Sequence, residues 1–206
     1  MKTIILIVVV VLGLALVTAV YVVATGVSAL PQPGTLESRT AHALRDAAIR
    51  MRVRGLMNPV PLSNDVVAEG MEHFADHCAV CHGNDGSGDT EMGRGLYPRP
   101  PDMRLPATQN LTDAELFYII ENGVRLTGMP GWSNGTREGE ISSWHLVHFI
   151  RHLPKLSDEE LAQMDDLNPL TPAELKQREE EKRFLQGGDA TPPPVTTPTH
   201  EHTHTP

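Results

Sequence analysis

The feature that most limits what this chain can fold into is the stretch Cys-Ala-Val-Cys-His at residues 78–82. It contains both cysteines of the 206-residue chain. A disulfide between positions so close together closes a short loop, and it removes little entropy from the unfolded chain. The two thiols are therefore poorly explained as a structural crosslink, and their spacing points to a chemical role.

Three kinds of site use cysteines at this spacing. A thioredoxin-type redox pair lies in a βαβ setting, and no β-rich pattern surrounds these residues. A structural zinc site needs four ligands, and the chain has no further cysteine. Covalent haem attachment needs only two thiols for thioether bonds and an adjacent imidazole for the iron. The motif therefore predicts one haem c, bound through Cys78 and Cys81, with His82 as the proximal ligand.

The N-terminus adds a second constraint, because residues 4–24 contain no charge. As a helix they would rise about 30 Å, which is enough to cross the hydrocarbon core of a bilayer. Lys2 is expected to stay in the cytoplasm, so the rest of the chain is expected on the opposite, extracytoplasmic side. A cleaved signal peptide is the alternative, since residues 27–29 resemble a cleavage site, but the apolar run is long for one. Residues 1–29 are predicted to be a single-pass anchor in the cytoplasmic membrane.

Charge is distributed unevenly along the chain. The net charge is −9, which argues against a nucleic-acid partner. Residues 36–57, in contrast, carry five arginines against two acids. We expect a basic amphipathic helix in the linker 30–64, which contacts anionic headgroups, docks on a partner or acts as a solvated spacer. The residues assigned to its apolar face are Leu44, Ala47, Ala48 and Met51.

Three further helices are predicted within residues 65–155. The first is capped by Ser63, Asn64 or Asp65, and its Gly70 would let another helix cross closely. The second runs from Thr112 or Asp113 to Asn122-Gly123, and the third ends at Pro154. The third carries an apolar stripe of Trp144, Val147, Phe149, Ile150 and Leu153.

The candidates for the other axial ligand of the iron are Met92, Met103, Met129 and several of the downstream histidines. Met92 and Met103 follow His82 so closely that little chain is left to wrap around a haem. Met129 lies 47 residues after His82, between a glycine and a proline. The spacing therefore favours Met129.

Four segments together resemble the class I monohaem cytochromes c, and more narrowly the membrane-anchored bacterial ones. They are FADHCAVCHGNDGSGD, YPRPPDM, LFYIIENGVRLTGMPGW and SSWHLVHFIRHLP, within residues 65–155. The resemblance implies an all-α fold wrapped around one covalent haem, with Met129 as the distal ligand and electron transfer as the function. It also implies that a carbonyl of Pro100 or Pro101 accepts a hydrogen bond from the proximal imidazole. Leu146 and Phe149 are expected to cross Gly70 and Phe74.

Several other side chains are candidates for roles near the haem. Arginine guanidinium groups suit the haem propionates, and the candidates are Arg99, Arg104 and Arg125. Trp132 would pack at the haem edge or in the ordinary core. The remaining histidines are given structural positions: His77 is expected to hydrogen-bond locally, and His145, His148 and His152 are expected to face solvent.

The chain after residue 155 is acidic and then of low complexity. Residues 156–188 carry nine acids against four bases, in two predicted helices that pack back on the domain or extend as a solvated arm. Residues 189–206 are predicted to be disordered. Their His200, His202 and His204 could bind a divalent metal weakly.

Two strong axial ligands leave no position on the iron for a substrate. The sequence therefore predicts an electron carrier, not an enzyme, tethered to the bilayer through one helix and passing electrons between membrane redox complexes. A fixed haem subunit of one complex fits equally well. The alternatives are a gas sensor or peroxidase-like enzyme with a labile sixth ligand, and a metal-handling protein that works through its histidine tail.

Overall fold

The structure is a computed structural model that describes residues 1–26, 28–169 and 172–185. Within those ranges it is helical and contains no strand, which confirms the all-α prediction. The α-helices are α1 (Lys2–Thr25), α2 (Thr35–Arg52), α3 (Asn64–His73), α4 (Ala79–His82), α5 (Glu91–Arg94), α6 (Pro106–Gln109), α7 (Asp113–Asn122), α8 (Arg137–His152), α9 (Asp158–Leu167) and α10 (Pro172–Leu185).

The N-terminal helix α1 is apolar on every side. Residues Lys2–Ala24 have a mean hydropathy of 3.1, and none of this segment is buried within the protein. A helix of this length and composition can cross a bilayer. A helix therefore forms over the segment that was expected from the sequence to cross the membrane.

The core is built where α3 crosses α8. A Cβ atom added to Gly70 would lie 2.7 Å from the carbonyl carbon of His145 and 2.9 Å from the Cβ of Phe149. Phe74 and Phe149 then pack with their ring centroids 5.1 Å apart. The predicted close crossing at Gly70 is thus confirmed. The buried residues around it are Met71, Phe74, Ala75, Leu116, Ile120, Trp144, Leu146, Val147, Phe149, Ile150, Leu153 and Met164.

Side-chain caps fix where the helices of this core begin. Ser63 accepts a hydrogen bond from the backbone N–H of Val66 at the start of α3. Thr112 and Glu115 form a reciprocal capping box at the start of α7. Thr136 caps α8, which therefore begins a few residues earlier than the apolar stripe alone indicates.

The linker helix α2 packs on the domain, a contact that the sequence did not predict. Ile49 and Val53 are buried against Ala114 of α7, whereas Leu44 and Met51 are 71% and 63% exposed. The predicted apolar face, which includes Leu44 and Met51, is thus left exposed. Both sides of α2 carry apolar residues, and the branched side chains of Ile49 and Val53 meet α7.

The acidic helix α9 packs back on the domain. The sequence alone left open whether it would do so or extend as a solvated arm. Met164 is completely buried in the core. The amide of Asn84 donates to Asp165 at 2.7 Å, and His152 contacts Glu160 at 2.7 Å.

A second unit begins at Asn168. Its described part is α10, in which Lys176 and Glu180 lie 4.0 Å apart on successive turns. The predicted metal site at His200, His202 and His204, and the whole of the predicted disordered tail 189–206, lie outside the described residues.

Candidate functional site

The Cys-x-x-Cys-His motif lies at the C-terminal end of one continuous helical segment. α3 passes directly into a π-helical turn, Phe74–Cys78, which is followed by the short helix α4. Gly83, with φ of 73°, ends this helical segment in a conformation that glycine adopts without strain. Residues three and four apart share one helix face, so Cys78, Cys81 and His82 are presented together. π-Turns of this kind are frequent at functional sites.

The two thiols are free and poorly suited to thiol–disulfide exchange. Neither is in a disulfide, and both are half-buried. Burial, with a smaller contribution from Cys81, raises the pKa of Cys78 to about 12, and burial also raises the pKa of Cys81. Redox-active cysteine pairs depend on a lowered pKa that yields a thiolate. The site therefore holds two protonated thiols, which disfavours the thioredoxin-type alternative.

The His82 imidazole is held neutral. Burial lowers its pKa to about 4, so at neutral pH one ring nitrogen carries a proton and the other has a free lone pair, which is the form that binds metals. Its Nδ1 atom is buried and has no hydrogen-bond partner within the described part of the chain. The predicted hydrogen bond to a carbonyl of Pro100 or Pro101 is therefore not formed. The Pro100 carbonyl instead lies close against Gly88, where an added Cβ would be 3.1 Å from its carbon.

Met129 lies on a loop, residues 123–132, that folds back on the end of α7. The Met129 carbonyl accepts a hydrogen bond from the Val124 N–H at 3.1 Å, and the Met129 N–H donates to the Thr127 hydroxyl at 3.1 Å. The loop then returns to α7, since the Trp132 N–H donates to the Ile120 carbonyl at 3.0 Å. Backbone hydrogen bonds, not buried side chains, therefore give the Met129 segment most of its shape.

Trp132 connects this loop to the cysteine motif. Its ring meets the ring of His77 edge-on, with the centroids 5.5 Å apart. His77 immediately precedes Cys78, and Trp132 follows Met129 by three residues. Trp132 is half-buried and packs against the core. It therefore links the segment that carries Cys78 and His82 to the loop that carries Met129.

The other two methionines lie in different surroundings. Met103 is 6% exposed and belongs to the hydrophobic core. Met92 is 54% exposed. Met129 lies on a loop and is half-buried. Its side chain is therefore neither enclosed in the core, like that of Met103, nor mostly in solvent, like that of Met92.

The candidate arginines differ in their partners. Arg104 is engaged by protein carboxylates, at 2.9 Å from Asp85 and 2.8 Å from Asp102. Arg99 and Arg125 are exposed. A role with haem propionates therefore stays a prediction for Arg99 and Arg125, while Arg104 already has two acidic partners.

The histidines of α8 are structural, and the expectation that they face solvent is wrong. Nδ1 of His145 lies 2.9 Å from a carboxylate oxygen of Glu69. Nε2 of His148 lies 2.9 Å from the Val60 carbonyl oxygen, and His152 pairs with Glu160 as described above. All three are half-buried, because α3, the linker and α9 cover the sides of α8. His77 does find a local partner, with its Nδ1 3.0 Å from Asp76.

These residues fit a covalently bound haem: two protonated thiols, a neutral imidazole with an unpaired buried nitrogen, and a methionine loop tied to the same segment. The comparison with known families agrees. Residues 65–150 match the family model described as cytochrome c oxidase, cbb3-type, subunit III. This segment is a cytochrome c domain.

Two curated relatives match the cytochrome c domain. The cbb3-type cytochrome c oxidase subunit CcoP of Cereibacter sphaeroides is 33% identical over 84 residues, which are 37% of this chain and 24% of the relative. The cbb3-type cytochrome c oxidase subunit FixP of Azorhizobium caulinodans is 32% identical over 92 residues, which are 45% of this chain and 25% of the relative. The chain thus spans about a quarter of the length of the relatives that it matches.

Proposed function

We propose that this chain is a membrane-tethered monohaem c-type cytochrome that passes single electrons between respiratory redox partners outside the cytoplasm. The observation that carries the proposal is the arrangement at the end of α3, where two protonated thiols and a neutral, buried imidazole lie on consecutive turns. This chemistry suits thioether bonds to a porphyrin and one bond to its iron.

Each ligand has its own role in this proposal. Cys78 and Cys81 would hold one haem by thioether bonds, and His82 and Met129 would take the two axial positions on the iron. Bound there, the haem supplies a centre that gains and loses one electron. With His82 and Met129 both bound to the iron, no position would be left for oxygen, peroxide or another substrate. The residues therefore support electron transfer without bond chemistry.

The tether and the partners follow from different observations. α1 has the length and apolarity of a single membrane crossing, and Lys2 before it would keep the N-terminus in the cytoplasm. Both curated relatives are named as subunits of cbb3-type cytochrome c oxidase. We therefore propose membrane redox complexes as partners, with a terminal oxidase of this type as the first acceptor to test.

The test uses the full chain in vesicles, reduced and then mixed with oxygen. With a cbb3-type oxidase in the same vesicles, the proposal predicts rapid reoxidation of the haem that depends on the oxidase. Without the oxidase, reoxidation by oxygen or by hydrogen peroxide should be slow. Rapid reaction with either molecule in the absence of the oxidase would contradict the proposal and favour the gas sensor or peroxidase alternative.

A further inference from the structure

The linker helix α2 has two apolar faces, and only one of them is used by the domain. Ile49 and Val53 pack on α7, as described above. On the opposite side, Leu36, Leu44 and Met51 are 79%, 71% and 63% exposed. Their spacings of eight and seven residues place them on one face of an α-helix. The exposed Ala43 and Ala47 lie between them on that face.

Arginines surround this exposed face. Residues 36–57 carry a net positive charge within a chain whose net charge is −9. Arg39 and Arg52 are exposed, whereas Arg45 is paired with Asp46 at 2.8 Å and the exposed Arg50 also donates to Glu115 at 3.3 Å. Apolar side chains bordered by guanidinium groups suit the interface of a phospholipid bilayer. There the apolar side chains can enter the acyl region while the guanidinium groups bind the anionic phosphates.

The covalent chain also keeps α2 close to the membrane. α1 ends at Thr25 and α2 begins at Thr35, so nine residues separate the two helices. Even a fully extended chain spans only about 3.5 Å per residue, so the start of α2 lies within roughly 30 Å of the end of α1.

We propose that the exposed face of α2, formed by Leu36, Ala43, Leu44, Ala47 and Met51, lies on anionic phospholipid headgroups. The apolar side chains enter the interface, and the bordering arginines bind lipid phosphates. Because the opposite face of α2 is packed on α7, this contact fixes the orientation of the cytochrome c domain relative to the bilayer. The inference rests on the proposed membrane anchor and is independent of electron transfer.

The experiment uses the full-length cytochrome in phosphatidylcholine vesicles with and without phosphatidylglycerol. Ala47→Cys places a thiol at the centre of the exposed face, and its alkylation by an uncharged, water-soluble maleimide is timed. His42→Cys is the matched control, since it is also exposed and lies on the same helix, about 140° away from Ala47. Gln163→Cys on α9 is a distant control. Flotation of the vesicles shows separately whether α1 still anchors the chain.

We expect alkylation of Ala47→Cys to slow several-fold when phosphatidylglycerol is present, while the two controls change little. High salt, or Leu44→Glu combined with Met51→Glu, should restore the rate, because the first screens the arginines and the second makes the face polar.

Three results would overturn the inference: equal rates with and without phosphatidylglycerol, slowing that depends on protein density as a second copy would cause, or slowing only when another membrane complex is added. A chain that no longer floats with the vesicles would instead overturn the proposed anchor.

Discussion

The two segments proposed to hold opposite sides of the iron are built differently. The Cys78–His82 segment continues α3, and the residues just before it, Phe74 and Ala75, are each 1% exposed in the core. The Met129 loop is held mainly by backbone hydrogen bonds. Its Leu126 is 92% exposed and has a φ of 64°, a conformation that leucine seldom adopts.

Because the two segments are built differently, the proximal side should affect both folding stability and haem binding, whereas the Met129 side should affect mainly the binding of the iron. The proximal ligand follows directly on the helix that forms the core, so changes at Gly70 or Phe74 should disturb both the crossing of α3 and α8 and the position of the ligand. Within the Met129 loop only Trp132 packs against the core, so the Met129 ligand should be removable from a protein that stays folded. Each of the following changes tests one side of that comparison.

The largest effect is expected at the cysteines. Changing Cys78→Ser and Cys81→Ser together removes both thiols, so no haem should remain covalently attached. The measurement is haem-dependent staining of the chain on a denaturing gel. Val80→Ala, at an exposed position inside the same motif, should keep full staining. Haem retained by the double variant would refute thioether attachment at these residues.

The next effect is expected at the helix crossing. Gly70→Ala places a methyl group against the His145 backbone and the Phe149 Cβ, so α3 and α8 must move apart. Such overpacking typically lowers the free energy of unfolding by about 1–3 kcal/mol. Urea unfolding of the full chain measures the loss. The exposed Ala68→Ser on the same helix should change stability by only about 0.5 kcal/mol, and an equal loss in both variants would contradict the close crossing.

A smaller, pH-dependent effect is expected at Glu115, which caps the helix leading to the Met129 loop. Burial tends to raise the pKa of Glu115, but hydrogen bonds from Thr112 and Arg50 outweigh it and lower the pKa. The carboxylate therefore contributes stability above its unfolded pKa of about 4.3, and this stability is lost as the pH falls through the lower folded pKa.

Glu115→Gln should accordingly cost about 1 kcal/mol of unfolding free energy at neutral pH, and the difference from wild type should shrink in acid. Urea unfolding at several pH values provides the comparison. The exposed Glu72→Gln serves as the control and should show no such trend. A difference that is independent of pH, or that grows in acid, would count against the charged cap.

The smallest effect is expected in the loop itself, at Leu126. Asparagine tolerates a positive φ and a β-branched residue does not, so Leu126→Asn should be more stable than Leu126→Val by about 1 kcal/mol. Because the side chain is exposed, loss of packing should contribute little to either value. Equal stability of the two variants in urea would show that the loop does not hold this conformation.

The sequence predicted the elements whose signals are local. Ser63 and Thr112 cap helices where expected, and Gly123 ends α7. Gly70 allows the crossing because only a residue without a Cβ fits there. The thiols and imidazole of the haem motif are adjacent in sequence, so one helix end brings them together whatever the rest of the chain does.

The contacts that the sequence did not predict depend on which surface meets which. α2 has apolar residues on two sides, and periodicity alone does not choose between Ile49 and Leu44. α9 is acidic, yet it packs on the core through the buried Met164 and the partly buried Leu167. His145 sits beside an apolar stripe, and only the arrangement of α3 shows that Glu69 covers it. Burial of His82 Nδ1 without a partner likewise could not be inferred from neighbouring prolines.

The most direct test of the central claim is the optical spectrum of the full chain, oxidised and reduced, with and without carbon monoxide. Wild type is compared with Met129→Ala, and Met92→Ala, at an exposed methionine, is the matched control. The account predicts a low-spin haem that ignores carbon monoxide in wild type and in Met92→Ala. Met129→Ala should stay folded and bind the gas. Rapid binding of carbon monoxide by the wild type, or an unchanged spectrum in Met129→Ala, would contradict ligation by Met129.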